Sequence, residues 1–330
     1  MISWIEFATP QVCNFNCVYC YNRPPYRDNG VLPLDVFSGV LDDVKPEFVS
    51  ILGGEPTLYH SMLLKYLSEC KKRNIETRVA TNSAHLTKDM IREMKSSGLS
   101  RIWISWNAPR HIFSSFRKPC HKDDYDNVKK SITFSVKLGL TVECDAVLTK
   151  YNYKYLPRLY REASAMGAST FTLQTLVPSG NGTDLGLLLS EKEYVEAVTS
   201  VYPFVNDKTR LLLQCNWMAQ RCTELGEKIY NTPNTPESIR NGVECSEGFK
   251  RVHVHNNGDV LVCDIVDFPV LGNVYEERLS SMLSKSRFLE SSFLPPNKCS
   301  SCTKWNNCHN VCRGIVYMKT GSLGQRCADL

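Results

Sequence analysis

Three cysteines lie close together near the start of the chain, in the segment Cys13-Asn-Phe-Asn-Cys17-Val-Tyr-Cys20. Their CX3CX2C spacing puts three soft ligands on one short loop that follows an apolar, strand-like run. Inert thiols have no packing reason to crowd in this way. Three thiolates are able to hold three of the four irons of a 4Fe-4S cluster. The fourth iron would lack a protein ligand, and an open metal position is where a substrate binds in catalytic metal sites.

A second group of cysteines lies in the last part of the chain, with the spacing CX12GX4C, then CX2CX5CX3C, then a single cysteine after fourteen intervening residues. Its seven members are Cys245, Cys263, Cys299, Cys302, Cys308, Cys312 and Cys327. Thiolates at such spacings bind metal, either as iron-sulfur clusters or as tetrahedral zinc sites. The sequence therefore predicts a small domain here that is held together by metal.

The composition favours metal ligation over disulfide bonding. The chain has 15 cysteines among 330 residues and no secretory signal, which predicts a cytoplasmic protein with reduced thiols. A net charge of +5, with 39 basic and 34 acidic residues, is too small to indicate nucleic-acid binding. No uninterrupted apolar stretch of about 18 residues is present, so no membrane span is expected.

Strands and helices alternate through the first half of the chain. Strands are predicted at Trp4–Ala8, Phe48–Leu52, Thr77–Thr81, Arg101–Trp106, Thr141–Leu148 and Thr170–Leu176. Helices are predicted at Leu34–Val44, Met62–Lys72, Lys88–Ser96, Asn127–Leu138, Leu156–Met166 and, with a weaker pattern, Leu185–Ser200. Such alternation predicts an α/β fold with a parallel sheet and with active-site loops at the carboxyl ends of the strands. A hairpin is predicted from Lys250 to Cys263, with Asn257-Gly258 supplying positive φ angles at its turn.

The first cysteine motif resembles the signature of the radical S-adenosylmethionine (SAM) superfamily. A second element of that family, a Gly-Gly-Glu-Pro strand end, is matched by Gly53, Gly54, Glu55 and Pro56 directly after the second predicted strand. The resemblance implies that Tyr19 lies beside the adenine of SAM. It also implies that Gly53 to Pro56 receive the methionine part, and that Asn82 and Ser105, at two further strand ends, contact ribose or carboxylate. The implied fold is a partial (β/α)6 TIM-like barrel, in agreement with the six predicted strands.

The second group of cysteines, together with Gly258, resembles the SPASM domain of peptide-modifying and sulfatase-maturing radical SAM enzymes. By this resemblance Cys299, Cys302, Cys308 and Cys327 bind a distal 4Fe-4S cluster, and Cys245, Cys263 and Cys312 bind a proximal one. Three 4Fe-4S clusters in all are expected, one of them SAM-binding. The fourth proximal ligand is left open between Cys222, Cys215 and no protein ligand. We expect a barrel at residues 1–185, bridging helices or a linker at 186–240, and the SPASM domain at 241–330.

The resemblance also implies the chemistry. SAM is cleaved to a 5′-deoxyadenosyl radical, which abstracts hydrogen from a C–H bond of a peptide or protein, and auxiliary clusters allow net oxidation or cross-linking. Asp264, directly after Cys263, corresponds to a catalytic base of sulfatase-maturing relatives. The loop from Arg110 to Lys122, which carries Arg117, is either a recognition site for an acidic substrate or a solvated loop.

Two other functions remain open, a dehydrogenase or epimerase for an aminocyclitol or sugar and a non-catalytic electron carrier. The Gly-Gly-Glu-Pro element argues against the carrier, because a carrier needs no SAM pocket. Expected partners are a low-potential electron donor such as flavodoxin or ferredoxin and the substrate. A separate leader-peptide recognition protein is a further expected partner, because only twelve residues precede Cys13. Neither nucleic acid nor a membrane is expected.

Overall fold

The structure is a computed structural model. It describes residues 2–22, 30–215, 218, 223–242, 245–248, 250–264, 269–286, 299–303, 308 and 312–321. The predicted ligand Cys327 and the candidate ligand Cys222 lie outside these residues.

The described chain is built on one sheet whose strand order is β10-β9-β8-β1-β2-β3-β4-β5-β6-β7. The strands are β1 Trp4–Ala8, β2 Phe48–Leu52, β3 Glu76–Thr81, β4 Arg101–Ser105, β5 Thr141–Leu148, β6 Thr170–Thr175, β7 Arg210–Gln214, β8 Arg251–Val254, β9 Asp259–Leu261 and β10 Gly272–Asn273. The helices are α1 Leu34–Val44, α2 His60–Lys72, α3 Lys88–Ser97, α4 Phe113–Phe116, α5 Asp124–Lys137, α6 Leu156–Ala165, α7 Glu191–Thr199, α8 Glu224–Tyr230, α9 Glu237–Arg240, α10 Leu279–Lys285 and α11 Arg313–Thr320.

Each neighbouring pair from β1 to β7 is parallel, and β8 pairs parallel with the other side of β1. The predicted α/β fold with a parallel sheet is therefore confirmed. Strand residues alternate between the two faces of the sheet. Apolar residues such as Ile51 and Val79 are fully buried in the hydrophobic core that the helices also join. The alternate positions are largely polar and face the site described below.

The ends of the predicted strands and helices from β1 to β6 agree with the structure to within three residues. Two differences occur after β6. A seventh parallel strand, β7, pairs with β6 in the region for which only helices or linker were predicted. The helix predicted at Leu185–Ser200 begins only at Glu191, because the Ser190 side chain accepts from Glu193 N and caps it there. Among the described residues, no helix is long and apolar enough to cross a membrane.

The predicted hairpin continues the sheet beyond the barrel. Strands β8 and β9 pair antiparallel, and β9 pairs with β10. The turn differs from the prediction, because Gly258 has a φ of 86° while Asn257 is not among the residues with positive φ. A Cβ at Gly258 would also lie within 2.5 Å of Asn273 Oδ1. Glycine is needed at this position both for its backbone angle and for space.

We predict that Gly258→Ala lowers the free energy of unfolding by about 1–3 kcal/mol, through backbone strain and overlap with Asn273. Gly39→Ala is the matched control, because Gly39 is exposed within α1 and a Cβ there meets nothing within 4 Å. The control should raise stability by about 0.5–1 kcal/mol. Thermal unfolding followed by circular dichroism checks both. Equal midpoints for the Gly258 variant and the parent would contradict this account of the turn.

Candidate active site

A cavity of about 230 Å³ lies at the carboxyl ends of the parallel strands. Open parallel sheets bind ligands at this edge, because the strand ends and the following loops meet there. The cavity lining brings together nine of the predicted site residues: Cys13, Cys17, Cys20, Tyr19, Gly53, Gly54, Asn82, Ser105 and Asp264. Residues from both cysteine-bearing parts of the chain thus line one chamber.

The three N-terminal cysteines are close enough to affect one another electrostatically. Cys17 helps to raise the pKa of the Cys13 thiol, Cys20 helps to raise that of Cys17, and Cys13 helps to raise that of Cys20. Burial is the main cause that raises the pKa of Cys13 and Cys17 to about 11, and it also raises the pKa of Cys20. The thiols therefore keep their protons at neutral pH until a bound metal displaces them.

Gly53 and Gly54 allow the cysteine-bearing loop to pack directly on the end of β2. A Cβ at Gly53, whose φ is 140°, would lie 2.5 Å from Thr9 Oγ1, and one at Gly54 would overlap the Val12 carbonyl. Backbone bonds join the two segments: Thr9 N donates to Leu52 O at 2.7 Å and Glu55 N donates to Val12 O at 2.9 Å. Glycine is therefore needed at both positions because the backbone of the cysteine-bearing loop, at Thr9 and Val12, approaches them closely.

Glu55 lies outside the set of residues that line the cavity, although the family resemblance implies that it contacts SAM. Its buried carboxylate accepts from Thr57 N at 3.1 Å, from Thr81 Oγ1 at 2.7 Å and from Asn82 N at 2.8 Å. Pro56, also buried and also outside the lining, starts the 3-10 turn that follows. In this structure Glu55 connects the ends of β2 and β3 and so positions the residues that do reach the cavity.

Asn82, Ser105 and Tyr19 reach the cavity from three different segments. Asn82 Nδ2 donates to Asn14 Oδ1 at 2.8 Å, which attaches the end of β3 to the cysteine loop. The Tyr19 hydroxyl accepts from Asn107 Nδ2 at 2.9 Å, and its ring is 5.8 Å from that of Phe116. Tyr19 therefore has a fixed orientation as part of the cavity wall.

The basic loop after β4 is not a free anion-binding loop. Arg117 is fully buried, and its guanidinium donates to Asn82 O at 2.9 Å and to Ser105 O at 2.6 Å. Arg110 forms an ion pair with Asp126. These contacts leave Arg117 with a structural role at the cavity wall. Neither interpretation from the sequence, acidic-substrate recognition or a solvated loop, describes this residue.

Asp264 lines the cavity and is held on two sides. Tyr21 donates a hydrogen bond from its hydroxyl to Asp264 Oδ2 at 3.0 Å, and His253 Nδ1 is 3.7 Å from Oδ1. Although burial opposes a charge on His253, the carboxylates of Glu247 and Asp264 raise the pKa of this imidazole to about 9. A cationic His253 behind Asp264 attracts this carboxylate and helps to fix its position at the chamber wall.

A buried ionic cluster lies beside Asp264 and was not predicted from the sequence. Arg251 pairs with Glu247 and, at 3.3 Å, with Glu6, while His253 Nε2 is 2.8 Å from Glu247 Oε2. The ligand atoms of Glu6, Glu247 and His253 lie within 4.8 Å of one another, as in a cation site. Arg251 already supplies a positive charge that compensates the two buried carboxylates. Buried charges that are paired in this way need no metal ion.

Three further polar residues of the cavity wall, from β5, β6 and β7, were also missed by the sequence analysis: Asp145, Gln174 and Gln214. Gln174 and Gln214 are paired in register, and Gln174 Nε2 donates to Gln214 Oε1 at 3.3 Å. Burial raises the pKa of Asp145 to about 7. The sequence pattern that could have identified these three residues is a polar residue at alternate positions of an otherwise apolar strand.

Of the seven late cysteines, six lie among the described residues. Cys263 and Cys312 are buried, and Cys302 N donates to Cys299 O at 3.0 Å in a tight turn. Cys308 and Cys215 both pack against a small apolar cluster formed by Val177, Cys312, Ile315 and Val316. This cluster joins the C-terminal cysteines to the barrel.

Comparisons with known proteins match the two parts of the chain that carry the N-terminal and the C-terminal cysteines. Residues 8–163 match the radical SAM superfamily, and residues 245–309 match SPASM, an iron-sulfur cluster-binding domain. Two solved structures share the fold. Streptococcus suis SuiB has a TM-score of 0.74 at 18% identity, over 99% of this chain and 75% of its own. The structure of anSMEcpe with bound AdoMet has a TM-score of 0.69 at 18% identity, over 94% of this chain and 89% of its own.

Two curated relatives are similar in sequence. The AdoMet-dependent heme synthase of Oleidesulfovibrio alaskensis is 22% identical over 94% of this chain and 81% of its own length. A tungsten-containing aldehyde ferredoxin oxidoreductase cofactor-modifying protein of Pyrococcus furiosus is 27% identical over 50% of this chain and 49% of its own. The chain thus spans about half the length of the second relative.

The chain has a radical SAM domain followed by a SPASM domain. The resemblance drawn from the cysteine motifs is confirmed. These domains imply SAM and iron-sulfur clusters as cofactors, and radical SAM proteins are enzymes.

We predict that Gly54→Ala weakens SAM binding by about 5- to 150-fold, which corresponds to an overpacking cost of about 1–3 kcal/mol. The added methyl group displaces Val12, and Cys13 follows it in the chain. Equilibrium binding of SAM to the reconstituted protein measures the change, with Gly39→Ala as the control. An unchanged dissociation constant, with unchanged iron content, would contradict the role given to this glycine.

Proposed function

We propose that this protein is a radical SAM enzyme that abstracts hydrogen from a C–H bond of a peptide or protein and completes a net oxidation or cross-link. One observation carries the proposal: a single cavity is lined by the three N-terminal cysteines, by the glycines that follow β2 and by Asp264. A thiol triplet and a carboxylate in one chamber fit a radical-generating site beside a base.

The donor set fits a 4Fe-4S cluster held by Cys13, Cys17 and Cys20, because the three thiols are neighbours in one loop and soft thiolates suit iron. When bound, this cluster and SAM would supply the 5′-deoxyadenosyl radical. Tyr19, Gly53, Gly54, Asn82 and Ser105 are the residues proposed to bind SAM, since they line the same cavity. Buried Glu55 and Arg117 hold the surrounding strand ends in place and keep water from the wall behind them.

Asp264 is the proposed base. After a hydrogen atom is removed, a substrate radical that loses a proton and an electron has been oxidised by two electrons in total. Asp264 accepts that proton. Cys263, the residue before it, would help to hold an auxiliary cluster, and such a cluster would supply an acceptor for the electron. The bond from Tyr21 and the cationic His253 orient the carboxylate for this transfer. A positioned base of this kind contributes about 10²–10⁴-fold to a rate.

Two auxiliary 4Fe-4S clusters complete the proposal. Cys299, Cys302, Cys308 and Cys327 are the proposed ligands of the distal cluster, and Cys245, Cys263 and Cys312 are those of the proximal one. The SPASM match over residues 245–309 and the burial of Cys263 and Cys312 support metal ligation here. We propose flavodoxin or ferredoxin as the electron donor.

A peptide is the favoured substrate because proteins that share this fold were crystallised with peptides: SuiB with its precursor peptide SuiA, and anSMEcpe with the Kp18Cys peptide. A small-molecule substrate is the second candidate. The similarity to a heme synthase over 94% of this chain favours it. A search for modified peptides in cells with and without the gene distinguishes the two.

We predict that the anaerobically reconstituted protein holds about 12 irons per chain, four for each of three clusters. Replacing Cys13, Cys17 and Cys20 by alanine should remove about a third of the iron and abolish reductive cleavage of SAM, which is measured as 5′-deoxyadenosine. Cys120→Ala, outside both cysteine motifs, should change neither. Equal SAM cleavage in the triple variant and the parent would refute the radical SAM assignment of this loop.

We predict that Asp264→Asn slows product formation by about 10²–10⁴-fold, because the amide cannot take up the proton. Iron content and SAM cleavage should stay near the parent values. Tyr21→Phe, which keeps the carboxylate and removes its hydrogen bond, should have a smaller effect. Mass spectrometry of products formed in deuterated water checks the outcome. A product one mass unit heavier, instead of two units lighter, would indicate epimerisation and end this role for Asp264.

A further inference from the structure

The proximal cluster has three proposed ligands, and residues 238 to 244 in front of Cys245 contain no cysteine. Within the described chain, four cysteines lie outside the two motifs: Cys70, Cys120, Cys144 and Cys215. Cys70 and Cys144 are buried in the hydrophobic core, and Cys120 bonds to its own loop. Cys215 alone among these four lines the cavity.

Cys215 lies at the point where the barrel meets the C-terminal cysteines. It directly follows β7, and its φ of 51° is in the left-handed region that few non-glycine residues adopt. This left-handed conformation ends the extended strand, so the chain changes direction at Cys215, directly after β7. Strained positions of this kind occur at binding sites, where the surrounding contacts hold them in place.

Two of the proposed proximal ligands lie next to Cys215. The side chain packs on the apolar cluster that contains Cys312. Cys245 is the nearby group that, after burial, contributes most to raising the pKa of Cys215. Asp264, which follows the third ligand Cys263, is also close enough to raise it and lines the same cavity. The packing on the cluster that contains Cys312, the cavity shared with Asp264 and the electrostatic influence of Cys245 together place this thiol near the three ligands.

The sheet topology explains why a residue from the barrel is found here. Strands β7 and β8 are the two ends of the parallel part of the sheet, with six strands between them. Cys215 follows β7, whereas Cys245 and Glu247 precede β8. Their proximity means that the curved sheet brings its two ends together at this point.

We propose that Cys215 is the fourth thiolate ligand of the proximal auxiliary cluster, together with Cys245, Cys263 and Cys312. This inference rests on the proposed function, which assigns that cluster. On binding iron, the thiol releases its proton to solvent and becomes a thiolate, like the other three ligands. All four irons then have protein ligands, so substrate is not bound at this cluster. A metal-bound sulfur carries no S–H bond, so Cys215 does not return a hydrogen atom to the substrate.

The first test compares Cys215→Ala with the parent and with Cys120→Ala after anaerobic reconstitution. The Cys215 variant should lose between one and four irons per chain, or give the electron paramagnetic resonance signal of a 3Fe-4S cluster on mild oxidation. Cys120→Ala should match the parent. A parent-like iron content and spectrum in Cys215→Ala would overturn the assignment. If solvent deuterium also disappeared from the product of that variant, Cys215 would be a hydrogen-atom donor.

The second test needs no substitution. Parent protein is saturated with SAM, which occupies the N-terminal cluster, and ¹³C-labelled cyanide is added. Electron–nuclear double resonance should then detect no ¹³C coupled to an auxiliary cluster. Detection of such a coupling would show an open iron and overturn the proposal. An iron content near four per chain would instead refute the auxiliary clusters themselves, so the two failures are distinguishable.

Discussion

The docking of the cysteine loop on the end of β2 is the contact on which the candidate site depends. Three backbone hydrogen bonds and the absence of side chains at Gly53 and Gly54 allow this approach. Once the loop is docked, Cys13 lies beside Asn14 and Asn82, and the three thiols face the carboxyl ends of the strands. A side chain at Gly53 or Gly54 would push the loop away and move the thiols with it.

The sheet provides the second level of organisation. Helices pack on its apolar face, so the other face is free to carry charged residues such as Glu6 and Arg251. Burial of charge is tolerated there because Glu6 pairs with Arg78 and Arg251, and Glu247 pairs with Arg251. The hairpin of β8 and β9 adds to the same sheet, and Asp264 follows it. The C-terminal part of the chain therefore places its carboxylate in the chamber formed by the N-terminal part, through continuous strand pairing.

The features predictable from the sequence are those with local signals. Strand and helix positions follow from periodicity, and the two cysteine motifs are recognisable from their spacing, in agreement with the matches to radical SAM and SPASM. The bond between Tyr21 and Asp264 joins residues 243 positions apart, and no local pattern predicts such a pair. Arg117 was grouped with exposed basic residues, because its burial depends on the carbonyl groups of Asn82, just after β3, and Ser105, in β4, which only the folded sheet brings to it. Strand β7 was missed because its short apolar run follows a weakly patterned segment.

The central claim is that SAM binds in this cavity at an iron held by Cys13, Cys17 and Cys20. The most direct measurement is electron–nuclear double resonance of the reduced, reconstituted protein with SAM that carries ¹⁵N in its amino group. The account predicts a ¹⁵N hyperfine coupling to the cluster that disappears when unlabelled SAM replaces the labelled compound. A cluster spectrum that does not change on addition of SAM, and shows no ¹⁵N coupling, would contradict it.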